Sequence, residues 1–396
     1  MAHKPQIVIV GGGVMGAATA CFLARDHGVM PIVIERDPAY LRASSALSAS
    51  SIRQQFSVPI NIQLSQASLA FYRNIGDELV VGTDRPDIAL VEPGYLYLAT
   101  TEGLAHMKSQ QRVQRSMGAD IALLTPAELA ERFPWLAVDD IALGSWGQTG
   151  EGWFDGWSVL QAFRRKAIAS GAQFIKAEVE ALENLGAQVR AVRCTDGQRL
   201  VADQVVIAAG GWSAALLTPL GLDLPVQAHK RDVFVVDAPV QLPGSPLVID
   251  PSGVWFRPEG AGSKGQGRFI TGAPPRQADT HEVPLHAIDH GLFEDLIWPT
   301  LAARVPAFEA LRQVNAWAGY YEMNTFDQNG LVGAMGGWPN LHVACGFSGH
   351  GMQQAPAVGC ALAHQLAKGT WGPLDLSPLS PQRIARGEPL REQCII

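Results

Sequence analysis

The stretch Gln6-Ile7-Val8-Ile9-Val10-Gly11-Gly12-Gly13-Val14-Met15-Gly16 decides how the rest of the chain is read. Residues 6–10 form a short β-branched run, the pattern of a buried parallel strand. A helical stretch over 14–27 follows and is closed by Gly28; residues 31–35 predict the next strand, with Glu35 at its tip. The unit carries Gly11-x-Gly13-x-x-Gly16. In a dinucleotide site the first glycine makes the tight turn, the second lets the backbone approach a pyrophosphate, and the third lets helix and strand pack closely. The helix N-terminus then turns unpaired N–H groups and a positive dipole end toward the phosphates. Glu35 would accept from ribose hydroxyls, and its charge disfavours a 2′-phosphate, so NADP is not expected. NAD and FAD stay open on the motif alone.

The uncharged run at 6–24 could pass for a signal peptide or a short membrane span. Its four glycines and the strand just beyond argue for the nucleotide-binding pattern instead, and no membrane span is expected. The 396 residues suffice for two domains, and 47% hydrophobic against 17% charged residues argues against disorder beyond a short loop at 260–267. A net charge of -7 with no run of Lys or Arg excludes a phosphate-backbone binder, so no nucleic-acid partner is expected. Cys21, Cys194, Cys345, Cys360 and Cys394 are scattered with no C-x-x-C pair. That spacing suggests no metal site and no disulfide framework, and reads as thiols of a cytoplasmic protein.

Residues 157–170 read as a helix and 173–201 as short strands around an Asp196-Gly197 turn. A buried strand at 205–209 ends in Gly210-Gly211-Trp212-Ser213, small residues where a ligand can pass close to the backbone. Residues 341–345 are again strand-like and lead into Gly346-Phe347-Ser348-Gly349-His350-Gly351, with a helix predicted from Pro356 to Lys368 and stopped by Gly369. A second glycine loop before a helix supplies more N–H donors and a second positive dipole end, suited to the edge of a flavin that gains negative charge on reduction. Residues 93–99, 230–236 and 253–271 alternate as strands with one exposed face do, and fall to a second, substrate-covering domain. The fold class expected is α/β: a Rossmann-like FAD-binding domain from 1–90, 150–225 and 318–396, with a mixed-sheet α+β substrate domain from 91–149 and 226–317.

Together these residues resemble the D-amino acid oxidase superfamily of FAD enzymes, and more narrowly its sarcosine oxidase, dimethylglycine dehydrogenase and glycine oxidase group. The N-terminal fingerprint with Glu35, the segment at 44–53, Ala208-Ala209-Gly210 and the 346–351 loop fall in the family's order. Arg53-Gln54-Gln55-Phe56-Ser57, Glu151-Gly152-Trp153-Phe154-Asp155, residues 320–330 and Gln353-Gln354-Ala355-Pro356 look like the family of a mitochondrial FAD-dependent oxidoreductase domain protein associated with complex I assembly.

The resemblance implies noncovalent FAD, since no cysteine lies near Tyr320, where the monomeric sarcosine oxidases attach the flavin just before their equivalent of Asp327. It assigns the cofactor to Gly11, Gly13, Val14, Met15, Gly16, Glu35, Arg36, Ser44, Ser45, Ser50, Ser51, Ile52 and Val179. Ala209, Gly210, Trp212, Gly346, Gly349, His350, Gly351, Met352 and Gln353 complete that set. The reaction implied moves a hydride from an amino acid α-carbon or N-methyl carbon to flavin N5 and leaves an imine that water hydrolyses, with no protein base required. Arg53 stands where sarcosine oxidases place a substrate-carboxylate arginine, and its fork suits a carboxylate. Arg257 is the fallback. Tyr321, with Tyr320 and Glu322, is expected near the flavin, and His350 is expected to contribute backbone and orientation more than acid–base chemistry.

Two departures bear on chemistry. Trp255 replaces a lysine that promotes reaction with oxygen, and Gln353 replaces a second lysine that completes the carboxylate clamp. Electrons would then pass to an acceptor protein or a quinone. The alternatives are a D-amino acid or glycine deaminating enzyme, and an assembly factor that keeps FAD as a structural element.

Overall fold

A computed structural model describes residues 5–261, 266–277 and 280–393. The loop expected at 260–267 is thus only partly described, and Cys394 lies outside the described residues. A six-stranded sheet carries the N-terminal unit in the order Leu331–Ala334, Leu341–Cys345, Gln204–Ile207, Ile7–Val10, Ile32–Glu35, Gln173–Lys176. All its pairings are parallel except that of Leu331–Ala334 at the edge. Side chains alternate along a strand. Ile7 and Ile9 therefore pack against the helices Val14–His27, Gly156–Ala169 and Gly351–Lys368, while Val8 and Val10 meet a three-stranded antiparallel sheet that includes Val189 and Val192. Burial on both faces explains why the sequence there is continuously apolar.

The helix after the second glycine loop differs from expectation. It spans Gly351–Lys368, so Pro356 lies in its interior. A proline has no N–H to give to the carbonyl four residues back, here that of Met352. The hydroxyl of buried Tyr72, on the helix Pro59–Arg73, donates to the Met352 oxygen at 2.6 Å and takes that place. Tyr72→Phe keeps the ring against Phe154, 4.7 Å between centroids, but strands a buried carbonyl. Such a loss costs about 1–3 kcal/mol, so chemical denaturation should give a lower midpoint for the variant with an unchanged slope. An unchanged midpoint would mean that the carbonyl is satisfied otherwise.

The second sheet has eight strands in the order Arg312–Asn324, Val226–Ala238, Gly267–Gly272, Trp255–Ala261, Leu247–Ile249, Tyr95–Ala99, Leu143–Gly147, Ile121–Leu124. It is mixed, because Leu247–Ile249 runs parallel to Tyr95–Ala99 while every other neighbour is antiparallel. One face is sealed by Phe293, Ile297, Leu301 and Phe308 against Phe234, Phe256 and Phe269. The domain boundary expected at residue 318 falls inside the unbroken strand Arg312–Asn324. That strand also contacts the short helix Ser44–Leu47: the Trp317 indole donates to the Leu47 carbonyl at 3.0 Å.

Candidate functional site

The turn after the first strand is shaped by what would collide with it. A Cβ on Gly11, whose φ is +102°, would lie 2.3 Å from the Ala208 carbonyl oxygen, and one on Gly16 would lie 2.0 Å from that of Gly11. Gly16 is therefore a packing residue and does not line the site. Gly13, with φ -61°, caps the helix with no side-chain partner, and Ser45 Oγ accepts the Val14 N–H at 3.0 Å. Each Glu35 carboxylate oxygen accepts one N–H, Gly12 to Oε2 and Asp37 to Oε1, both at 2.8 Å. A carboxylate has about four acceptor positions, so the acid keeps capacity for hydroxyls of a bound ligand.

Beside this turn lies a cavity of about 740 Å³ whose lining draws on both sheets. Such a volume is ordinary for a small-molecule or cofactor site. The wall nearest the fingerprint contains Gly11, Gly13, Val14, Met15, Glu35 and Arg36, then Ser44, Ser45, Ser50 and Ser51, with Val179, Ala209, Gly210 and Trp212. The Arg36 guanidinium stacks on Trp212 at 4.2 Å, with Arg42 over the same ring at 5.3 Å. Gly349, Gly351, Met352 and Gln353 bring the start of the C-terminal helix to the wall, so two helix N-termini reach one cavity. Backbone donors, positive helix ends and open space beside Gly13 together fit an extended phosphorylated cofactor such as FAD.

The mixed sheet supplies the remaining wall. Arg231, Trp255, Tyr320, Tyr321 and Glu322 line it. The Arg231 guanidinium lies 5.2 Å over the Tyr321 ring, and its Nη1 donates to the Lys230 carbonyl at 2.9 Å and to Thr280 Oγ1 at 3.2 Å. Burial raises the Tyr321 phenol above its ordinary pKa, against the opposing charges of Arg231 and Arg53. A Cβ on Gly349 would sit 2.3 Å from the same ring, which only a glycine permits.

Several expected residues stand back from the cavity lining. Arg53 is buried with its guanidinium 3.9 Å over Phe56 and its Nη1 donating to the Gln55 carbonyl. Its own N–H donates to Gln353 Oε1 at 2.9 Å, so Gln353 braces the Arg53 backbone. Buried Glu151 accepts from Gln54 N at 2.6 Å, Gln55 N at 3.0 Å and Gln55 Nε2 at 2.9 Å, and fixes the same segment. Burial pushes the Glu151 carboxyl up to about 7. Ile52 pairs with Gly152 in a two-stranded ladder. His350 is buried edge-on to Phe56, 5.3 Å between rings, and burial followed by the Arg53 charge brings its pKa down to about 3. The neutral ring is set behind the wall. Gly346, also outside the lining, gives its N–H to the Glu322 carboxylate. Arg257 is buried, donating to Ala49 O at 2.8 Å and paired with Glu259.

Arg231 was missed from the sequence. Its signal was there: Lys230, Arg231 and Asp232 stand together just before the apolar run at 233–236, and Lys230 with Asp232 form a buried ion pair at 2.7 Å. Among the described residues no cluster of potential ligands could bind a metal ion, and no helix is long and apolar enough to cross a membrane.

Residues 6–365 match a family model described as DAO, FAD dependent oxidoreductase. The chain is 42% identical over 430 residues to "FAD-dependent oxidoreductase domain-containing protein 1" of Xenopus laevis, covering 100% of this chain and 85% of that one. It is 30% identical over 388 residues to the glycine oxidase of Geobacillus kaustophilus, covering 97% and 98%. Among solved structures, the L-proline dehydrogenase from P. horikoshii superposes with a TM-score of 0.84 at 26% identity, covering 98% and 100% of the two chains.

Proposed function

The chain belongs to the DAO family of FAD dependent oxidoreductases, and from that premise we propose that it oxidises the C–N bond of an amino acid or N-methyl amino acid. The observation that carries this reading is one cavity with a glycine-and-helix cradle on one wall and Arg231 over Tyr321 on the other. FAD supplies, when bound, a two-electron acceptor for a hydride.

The chain's own residues bind, orient and shield. Gly13 leaves room for the cofactor, and the helix ends at Gly13 and Gly351 favour its negative charge. Arg231 anchors the substrate carboxylate, with Tyr321 beside it as a hydroxyl partner and the Arg53 charge behind. Anchoring one end of the substrate fixes which carbon faces the cofactor, and such orientation is worth several orders of magnitude in rate. Trp255 covers this end with apolar surface. Gln353, through the Arg53 N–H, positions the segment behind Tyr321.

Among the described residues no cysteine that could attach the flavin lines the wall, the FAD is held noncovalently, and acid precipitation should release all of it into the supernatant. The reading is tested by product. With an artificial electron acceptor, N-methyl amino acids should yield formaldehyde, or methylamine where the α-carbon is oxidised, and primary amino acids ammonia, faster than in air because Trp255 stands where a lysine would promote reaction with oxygen. None of these products from either class would overturn it.

A further inference from the structure

Glu322 is a cavity-lining acid that the scheme above does not use. It lies on Arg312–Asn324, opposite Ala228 on the neighbouring strand, and its backbone carbonyl accepts the Ser348 N–H at 3.1 Å. Its carboxylate reaches between the two glycine elements that flank the cavity. A Cβ on Gly351 would stand 3.3 Å from Oε1, and one on Gly210 3.6 Å from Oε2. The N–H groups of Gly346 and Phe347 donate to it. Gly351 opens the helix Gly351–Lys368, so the acid sits at that helix's positive end.

The surroundings hold little other charge. On its own strand the nearest titratable groups are the Tyr320 and Tyr321 phenols, and on the neighbouring strand His229 and Arg231, the latter stacked on Tyr321. From Leu341–Cys345 comes the Cys345 thiol, which burial and the Glu322 charge push up so that it stays neutral. The loop contributes His350, turned to Phe56, and the 210–213 turn and the opening helix contribute Gly210, Trp212, Ser213 and Met15 without charge. Among the described residues Glu322 forms no ion pair. Two backbone donors and a helix end thus work against burial, and the carboxyl is brought up to about 7.

We propose that Glu322 is a proton-exchanging group coupled to the redox state of the bound flavin: it takes up one solvent proton when two electrons enter the cavity and returns it when they leave. The inference rests on this cavity being the FAD site. One O–H bond forms at the carboxylate as negative charge arrives, because a nearby like charge disfavours the ionised acid. The electrons come from a hydride donor, and the proton comes from water.

The experiment is potentiometry of the FAD-loaded protein at an electrode, so its outcome does not depend on any amine being a substrate. The wild-type midpoint potential should fall more steeply with pH than that of Glu322→Gln, by one proton per electron pair, above about pH 7, and the two lines should converge below it. Identical slopes would overturn the proposal. Should Glu322→Gln lose its flavin, redox-difference infrared spectra of the wild type decide. Reduction should generate a carboxylic-acid C=O band that shifts in Glu322→Asp, and its absence would overturn the proposal.

Discussion

Gly13→Val is expected to give a folded protein that no longer retains FAD. Gly13 has a φ of -61°, which any residue adopts, and a Cβ there meets only Ser45 Oγ at 3.3 Å, so the turn and helix can form around a valine. The added methyl groups would instead enter the cavity that Gly13 lines. Gly11 and Gly16 are poorer probes, since a Cβ at either collides with backbone carbonyl oxygens and breaks the turn whether or not a ligand is present. We expect FAD affinity to drop by at least ~100-fold, about 2.7 kcal/mol. Thermal unfolding provides the check: added FAD should raise the wild-type midpoint and leave that of Gly13→Val unmoved. A variant that purifies yellow and is stabilised by FAD would mean that the pyrophosphate does not pass this turn.

Arg231→Ala is expected to abolish the preference for amines that bear a carboxylate. A charge-assisted hydrogen bond contributes about 1.5–3 kcal/mol, roughly ten- to a hundredfold in affinity. Arg231→Lys should recover only part of that, because an ammonium cannot reproduce a planar two-pronged donor. The comparison is the rate of anaerobic flavin reduction by an N-methyl amino acid and by its amide. Arg53→Ala is the control: its guanidinium packs on Phe56 and bonds the Gln55 carbonyl, so its loss should weaken flavin retention or stability while discrimination persists. If instead Arg53→Ala erases the difference between acid and amide and Arg231→Ala keeps it, the two roles are exchanged.

Much of the fold was legible because it rests on local rules. The first strand, its helix and the αL glycine at Gly28 follow from β-branched periodicity and C-cap chemistry, and the structure has them at Ile7–Val10, Val14–His27 and Gly28. The helix after the second glycine loop was read as starting at Pro356 because proline favours a first turn. A hydroxyl from another helix overrides that preference, and no local pattern announces Tyr72. The site divides the same way. Residues beside the fingerprint that line the cavity were legible because backbone glycines and helix ends shape that wall. The wall proposed to take the substrate depends on which side chains two distant strands turn inward; family likeness pointed to Arg53, which stands back from the lining, while Arg231 is part of it.

Whether this cavity turns over a carboxylate-bearing amine is decided by anaerobic titration of the FAD-loaded protein with a panel of amino acids, N-methyl amino acids and their amides. At least one free acid should bleach the oxidised flavin's visible absorbance completely, while its amide does so slowly or not at all. Bleaching by dithionite but by no amine on the panel would contradict the account and leave a protein that holds FAD for another purpose.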